Sequence, residues 1–206
     1  MLESIVSKIL GPQGQPHSYR IHAYKGIGRL PKDLRGTTDA DKRVLLDRLP
    51  RIIRGYGASL RGISAAVVVL VDLDDKDCQV FKRELLAVCR ACCPSPRVLF
   101  RIAIEEGEAW LLGDRCAVKR GYPAAKDVTL RSYVQDSICG TWEVLADAVY
   151  PGGSAKLAKL GWPHTGNAKC EWAGRIAHHI DTEANRSKSF QVFRDGLRRL
   201  AGMAKS

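Results

Sequence analysis

The sequence predicts an α/β protein whose parallel sheet is flanked by helices, and three observations carry this prediction. The segments "SAAVVVLVD" (64–72) and "PRVLFRIAIEE" (96–106) are apolar runs without polar alternation, which is typical of strands covered on both faces. A helical pattern lies between them over residues 77–92. The order strand, helix, strand predicts a parallel pair. Two parallel neighbours need a long crossover connection, and the helix between them provides it.

The remaining elements follow from local patterns along the chain. Residues 2–10 form an amphipathic pattern typical of a short helix, and "SYRIHAY" (18–24) alternates as a strand does. Residues 40–60 have helical spacing, with Pro50 either kinking the helix or dividing it. "GEAWLLGD" (107–114) predicts a short helix, and the chain after it is helical. We therefore expect an α/β core over 1–115 and a basic helical C-terminal region over 116–206, packed as one unit.

Length and composition narrow the class of protein. A chain of 206 residues with 45% hydrophobic content can bury a real core. No window approaches the ~18–20 apolar residues that span a bilayer, and the N-terminus lacks the pattern of a signal peptide, so we expect a cytoplasmic protein with no membrane contact. The 7 cysteines are odd in number and scattered from Cys78 to Cys170, which predicts free thiols.

The charge of the chain favours a polyanionic partner such as DNA or RNA. The formal net charge is +11, and the basic residues concentrate in 19–61 and 186–206. The loop "KGIGRL" lacks the spacing of a Walker motif, but Lys25 and Arg29 within it are candidates for phosphate contacts. A solvated basic surface is the alternative for each of these clusters.

Acidic residues gather where the two buried strands are predicted to end. Asp72 and Asp74 follow the first strand, and Glu105, Glu106 and Glu108 follow the second. Ligands of parallel α/β sheets collect outside the carboxyl ends of the strands. Because neighbouring carboxylates repel one another, their grouping indicates a divalent cation, and oxygen ligands suit Mg²⁺ or Mn²⁺.

Other interpretations of the first acidic cluster stay open. Asp75 or Asp77 can cap the helix that follows, and the cluster can be a solvated loop without a ligand. A calcium-binding loop is excluded, because Lys76, Asp77 and Arg83 stand at its fifth, sixth and twelfth positions, where such a loop needs a ligand, a glycine and a glutamate.

The segment "NRSKSF" precedes the last helical pattern and has two interpretations. Asn185, Ser187 or Ser189 can cap the helix. Arg186 and Lys188 then flank its positive N-terminal end, where a phosphate binds well. Simple capping with two solvated cations is the alternative.

Three segments carry a resemblance to a known family. "VVVLVDLDDKDC", "RIAIEEGEAWLLGD" and "NRSKSFQVFRDGL" resemble, in order and spacing, the bacterial domain of unknown function family 4276. The resemblance covers the chain from about Ile9 to Leu200. It implies a Toprim-like fold, in which an Asp-x-Asp that matches Asp72 and Asp74 holds Mg²⁺.

The resemblance also implies an activity and a partner. Toprim nucleases cleave phosphodiester bonds, and this family resembles nuclease effectors paired with an ATPase in phage defence. We therefore expect Asp72 and Asp74 to act with one of Glu105, Glu106 or Glu108, and Asp72, Asp74 and Glu105 to bind the metal. Relatives begin with a strand ending in glutamate, whereas Met1 falls inside the following helix, so a non-catalytic nucleic-acid-binding or ATPase-partner subunit is the alternative.

Overall fold

A computed structural model describes residues 1–24, 26–31, 44–73, 77–104, 106–135, 137 and 140–203. Within these ranges the chain forms ten helices and two strands. In chain order they are α1 (Leu2–Leu10), α2 (Leu45–Ser59), β1 (Val67–Asp72), α3 (Cys78–Ala91), β2 (Val98–Ala103), α4 (Gly107–Leu112), α5 (Arg115–Gly121), α6 (Asp127–Ser132), α7 (Thr141–Val149), α8 (Gly153–Lys159), α9 (Trp162–Ala177) and α10 (Lys188–Leu200).

The chain divides into two compact units. The larger one combines Met1–Ile21 with Ala103–Ser206, and the smaller one is His22–Ile102. The smaller unit contains α2, β1, α3 and all of β2 except its last residue. The domain boundary near residue 115 stays a prediction. No helix in the described ranges is long and apolar enough to cross a membrane.

The smaller unit is built on the parallel pair β1–β2, with α3 as the connection between them. This confirms a mixed α/β fold. The buried faces of α2, α3 and both strands form one apolar core. Its members are Leu46, Leu49, Ile53, Val69, Val71, Phe81, Leu85, Val88, Cys92 and Phe100.

Helix α2 continues through Pro50 without dividing. A proline inside a helix loses one backbone hydrogen bond, and Pro50 lies on the buried apolar face of α2. Gly57 faces the carbonyl of Pro94, which would lie 2.2 Å from an added Cβ. The absence of a side chain at Gly57 therefore allows the loop before β2 to pack closely on α2.

The prediction of a strand over "SYRIHAY" (18–24) is wrong. These residues form no strand in the described structure, most of them are exposed, and Ile21 keeps 37% of its surface accessible. Alternation predicts which faces a strand would have, but a strand also needs a neighbour to complete its hydrogen bonds. The described sheet consists of β1 and β2.

The larger unit is helical and packs around Trp110 of α4, which is 1% exposed. The indole ring contacts Phe190 edge-on with 5.5 Å between ring centroids, and Phe193 with 4.9 Å. Its Nε1 donates a hydrogen bond to Ser189 Oγ at 2.9 Å, so the buried polar atom is satisfied. These contacts fix the first two turns of α10 against α4.

A second set of contacts joins the end of α4 to the segment before α10. Asn185 is 1% exposed and donates from Nδ2 to the Trp110 carbonyl at 2.8 Å. The Arg186 amide donates to the Gly113 carbonyl at 2.9 Å. An added Cβ at Gly113 would meet Asn185 Oδ1 at 2.2 Å and Cγ at 2.9 Å. Only glycine at position 113 allows this approach.

We expect Gly113→Ala to lower the free energy of unfolding by about 2–3 kcal/mol, because the methyl group displaces the buried Asn185 amide. The φ of Gly113 is −60°, so the backbone itself accepts alanine and the effect is steric. The matched control is Gly174→Ala in α9, where nothing lies within 4 Å of the added Cβ. The control should gain about 0.5–1 kcal/mol from helix propensity. Urea unfolding measures both, and equal stabilities of the two variants would contradict the prediction.

Candidate functional site

Asp72 is the last residue of β1 and lies exposed at the carboxyl end of the strand. The preceding residues Val69 and Val71 are 5% and 4% exposed, so the strand is anchored in the core up to the point where the charge begins. A carboxylate at this position reaches solvent, which avoids the cost of burying the charge. The local sequence therefore places Asp72 where parallel sheets bind ligands.

The first acidic cluster contains a helix cap. Asp77 is the N-cap of α3, and its Oδ1 accepts a hydrogen bond from the Val80 amide at 2.7 Å. The prediction that Asp75 or Asp77 caps this helix is thus confirmed for Asp77. Asp74 lies outside the described residues.

Glu106, in the second cluster, binds the start of α7. Its Oε2 accepts hydrogen bonds from the Trp142 amide at 3.1 Å and from Thr141 Oγ1 at 3.2 Å. The first amides of a helix lack partners within the helix, and a negative charge there is favoured by the helix dipole. Glu106 therefore holds α7 next to the turn that begins α4.

Lys169 of α9 joins both described glutamates of this cluster. Its Nζ lies 3.3 Å from Glu108 Oε2 and 3.6 Å from Glu106 Oε1. Glu108 is 9% exposed, and burial raises the pKa of its carboxyl, whereas the Lys169 charge opposes that increase. We call these three residues the Glu–Lys cluster.

Glu143 of α7 faces the Glu–Lys cluster. Burial raises the pKa of its carboxyl and the negative charge of Glu106 raises it further, while its own backbone amide and the Lys169 charge only partly oppose the increase. Its Oε2 is buried and has no hydrogen-bond partner in the described part of the chain. The side chain turns back toward Gly140, where an added Cβ would meet this oxygen at 2.8 Å. An ionised Glu143 is thus disfavoured on two grounds, desolvation and repulsion.

The Glu–Lys cluster has the chemistry of an ion-pair network, in which an ammonium group balances two carboxylates. The described residues contain no group of three or more His, Cys, Asp or Glu side chains arranged to hold a metal ion. Of the three metal ligands that the sequence predicts, Asp72 is described, while Asp74 and Glu105 lie outside the described residues. A hard cation suits the carboxylate of Asp72, and the complete metal site stays a prediction.

The candidate phosphate contacts fall into three cases. Lys25 lies outside the described residues. Arg29 is exposed in the smaller unit, and its backbone amide donates to Asp47 Oδ1 at 3.3 Å. Arg186 and Lys188 are exposed in the larger unit, on either side of the residue that caps α10.

The "NRSKSF" segment begins α10 through Ser187. Ser187 Oγ accepts a hydrogen bond from the Phe190 amide at 3.3 Å, which confirms the predicted cap. Asn185 and Ser189 are buried and bind α4, so the uncharged residues of the segment build structure. The charged residues Arg186 and Lys188 are exposed at the positive end of the helix.

Sequence reasoning missed Lys169 and Glu143. Neither residue stands in a recognisable motif, and both approach Glu106 or Glu108 through folds of the chain that bring α7 and α9 to α4. The excess of acids after β2 was the available signal, since buried carboxylates require a compensating cation.

Comparison with known proteins defines the family. Residues 1–198 match the family model described as Domain of unknown function (DUF4276). The chain belongs to this family, as its three motifs predict. No curated protein and no solved structure matches the chain.

We expect Glu143→Gln to raise the free energy of unfolding at pH 7 by up to about 1 kcal/mol, a modest value because the carboxyl is only partly buried. With a raised pKa, the folded state holds more protons than the unfolded state above about pH 4.3, so wild-type stability falls as the pH rises through this window. The glutamine amide does not ionise, so the variant should not lose stability in this way as the pH rises. At pH 4 its free energy of unfolding should equal that of the wild type.

Urea unfolding at pH 4 and pH 7 measures the effect. Glu84→Gln, on the exposed side of α3, removes the same charge elsewhere and should change stability little at either pH. A Glu143→Gln variant that is less stable than the wild type at pH 7 would show that this carboxylate is favourably bound.

Proposed function

We propose that this protein is a Mg²⁺- or Mn²⁺-dependent phosphodiesterase that acts on nucleic acid through a Toprim-type core. The observation that carries the proposal is the exposed carboxylate of Asp72 at the end of the buried strand β1. The parallel arrangement of β1 and β2 supports it, because such strands present their carboxyl ends to ligands on one edge. The net charge of +11 supports a polyanionic substrate.

Asp72, Asp74 and Glu105 would hold the metal in this proposal. A divalent cation held by these residues would supply Lewis-acid chemistry for phosphodiester hydrolysis. The protein side chains have separate tasks. Asp72 would supply a fixed negative charge at the strand end, and the basic residues would bind backbone phosphates of the substrate.

The phosphate contacts in this proposal come from Lys25, Arg29, Arg186 and Lys188. Arg186 and Lys188 flank the cap of α10, where the helix dipole adds to their charge. Control by a partner ATPase in phage defence extends the proposal, and it rests on the family resemblance.

A second candidate function is a non-catalytic subunit that binds nucleic acid or an ATPase. One observation favours it: the described glutamates after β2 are engaged in structural contacts, Glu106 with the start of α7 and Glu108 with Lys169. A carboxylate that stabilises helix packing in this way is less available to a metal. The two candidates differ in whether the protein itself cleaves nucleic acid.

We expect the wild-type protein to cleave single- or double-stranded DNA or RNA in Mg²⁺ or Mn²⁺, with and without a partner ATPase supplied with ATP. Asp72→Asn should lower the cleavage rate at least about 100-fold, because the amide keeps the shape but loses the charge that binds the cation. Gel-resolved cleavage and Mn²⁺ calorimetry measure rate and metal affinity. Glu84→Gln removes one negative charge from the exposed side of α3 and should retain the cleavage rate and the metal affinity of the wild type.

The outcomes separate the two candidates. Full cleavage by Asp72→Asn contradicts the proposed site. A wild-type protein that binds nucleic acid but cleaves none of the four substrates under any of these conditions favours the non-catalytic subunit.

We further expect Arg186→Ala with Lys188→Ala to weaken nucleic-acid binding equally for different base sequences. The dependence of log K on log salt should become shallower by about 0.7–0.9 for each phosphate that the variant no longer neutralises. Fluorescence anisotropy across a salt series measures this slope. The control pair Lys156→Ala with Lys159→Ala removes two cations of α8 and should leave the slope unchanged. Equal slopes for both double variants would contradict a role for the α10 cap.

A further inference from the structure

A cavity of about 430 Å³ lies between α5 and α6 in the larger unit. Four of its lining side chains are cations, and the remaining ones include one thiol and one carboxylate. They are Arg115, Lys119, Arg120, Arg131, Cys116 and Asp127. We call it the α5–α6 cavity, and none of its residues belongs to the proposed phosphodiesterase site.

Two of the cations are held in place by backbone carbonyls. Lys119 Nζ donates to the Ala125 carbonyl at 2.9 Å, in the turn that joins the two helices. Arg115 Nη2 donates to the Tyr133 carbonyl at 3.2 Å, just beyond α6. These bonds tie both ends of α6 to α5, so the walls of the cavity keep their positions without a ligand.

The base of α5 is itself anchored. Asp114 caps α5 through the Ala117 amide at 2.9 Å, and its second oxygen accepts from the Asp181 amide at 2.8 Å. Leu130 of α6, which is 2% exposed, packs beneath the cavity. The cations therefore project from a rigid and partly apolar base.

The charges in the cavity are only partly balanced. Lys119 Nζ lies 3.4 Å from Asp127 Oδ1, which compensates one of the four cations. Arg120 and Arg131 are exposed, and neither forms an ion pair with a carboxylate in the part of the chain that the structure describes. A concave surface with excess positive charge concentrates the electric field and attracts anions.

We propose that the α5–α6 cavity binds a ligand that carries two adjacent phosphate groups. The guanidinium groups of Arg120 and Arg131 offer paired N–H donors that match phosphate oxygens. A volume of about 430 Å³ lies in the range of small-molecule sites, so the phosphates of a nucleoside diphosphate fit. Two successive phosphates of a nucleic-acid backbone offer the same kind of oxygen acceptors, with one charge on each phosphate and a sugar between them.

A multiply charged anion is favoured over a single carboxylate. The lining has an excess of three positive charges once Asp127 is set against the four cations, 4 − 1 = 3. A diphosphate carries about three negative charges near pH 7, because the second ionisation of a phosphate lies near pH 6. It therefore neutralises the cavity, whereas a carboxylate leaves most of the repulsion between cations in place.

Cys116 provides a readout inside the cavity. It is an exposed free cysteine that lines the space between the helices. Cys170 is an exposed free cysteine of α9 in the same unit and serves as an internal control. Alkylation by iodoacetamide, followed site by site with mass spectrometry, measures access to each thiol separately.

The experiment titrates inorganic pyrophosphate into the 206-residue protein at constant ionic strength, without divalent metal. We expect at least about 5-fold slower alkylation of Cys116 at saturation and an unchanged rate at Cys170. The double variant Arg120→Gln with Arg131→Gln should raise the half-protecting concentration at least about 10-fold. The control double variant, Lys156→Gln with Lys159→Gln, removes the same charge from α8. It should leave the half-protecting concentration unchanged. Thermal unfolding checks that both variants are folded.

Parallel arms with ADP and with a short single-stranded oligonucleotide distinguish the source of the phosphates. Protection of Cys116 at a lower concentration by the oligonucleotide identifies a nucleic-acid backbone, and the reverse order identifies a free nucleotide; both support the site. The proposed site is overturned if alkylation of Cys170 slows as much as that of Cys116, or if the two double variants have equal effects. It is also overturned if none of the three ligands protects Cys116. No step depends on metal or cleavage, so the result is independent of the proposed phosphodiesterase activity.

Discussion

The larger unit depends on the close approach between Gly113 and Asn185. At this crossing, the carbonyls of Trp110 and Gly113 at the end of α4 receive hydrogen bonds from Asn185 and Arg186. Carbonyls at a helix end have no partner within the helix, so these bonds satisfy groups that would otherwise be buried without one.

The same crossing organises the helices on either side of it. Asp114, next in sequence, caps α5 and accepts the amide of Asp181, while Ser187 caps α10. Because Gly113 has no side chain, Asn185 can approach it closely. The terminal backbone groups of α4, α5 and α10 can then all form hydrogen bonds. The position of Arg115 and the cations that follow it on α5 depends on this arrangement.

In the larger unit, several acidic side chains are paired with basic side chains of the same unit. Several acids are compensated within the fold: Lys169 balances Glu106 and Glu108, and Glu183 is bound by Arg194 and Arg198. The hydrogen bond from Arg198 lowers the pKa of the Glu183 carboxyl. In the α5–α6 cavity, by contrast, four cations stand against the single carboxylate of Asp127. Part of the formal charge of +11 is therefore concentrated at the surface where we propose that phosphate groups bind.

The family description assigns no activity, so any function has to be argued from individual side chains. Asp72 and the Glu–Lys cluster both follow a strand, but their surroundings differ. Asp72 lies exposed at the strand end, where we propose that it binds a cation, and Glu106 and Glu108 bind the start of α7 and Lys169. Position after a strand looked equivalent in the sequence, but Asp72 is exposed whereas Glu108 is buried.

The sequence by itself determined α3 and α4, because helices depend on residues only a few positions apart, and it narrowed their caps to a few candidates that include Asp77 and Ser187. It also predicted β1 and β2, because both are continuous apolar runs that supply each other's partner. The alternation of residues 18–24 was also local, yet it predicted the wrong element, since a strand requires a partner from elsewhere in the chain. Only the tertiary structure decided that Lys169 contacts both Glu106 and Glu108, and that α5 and α6 line a basic cavity open to solvent. Those arrangements come from how distant helices cross, and the spacing of residues along the chain does not encode where two helices meet.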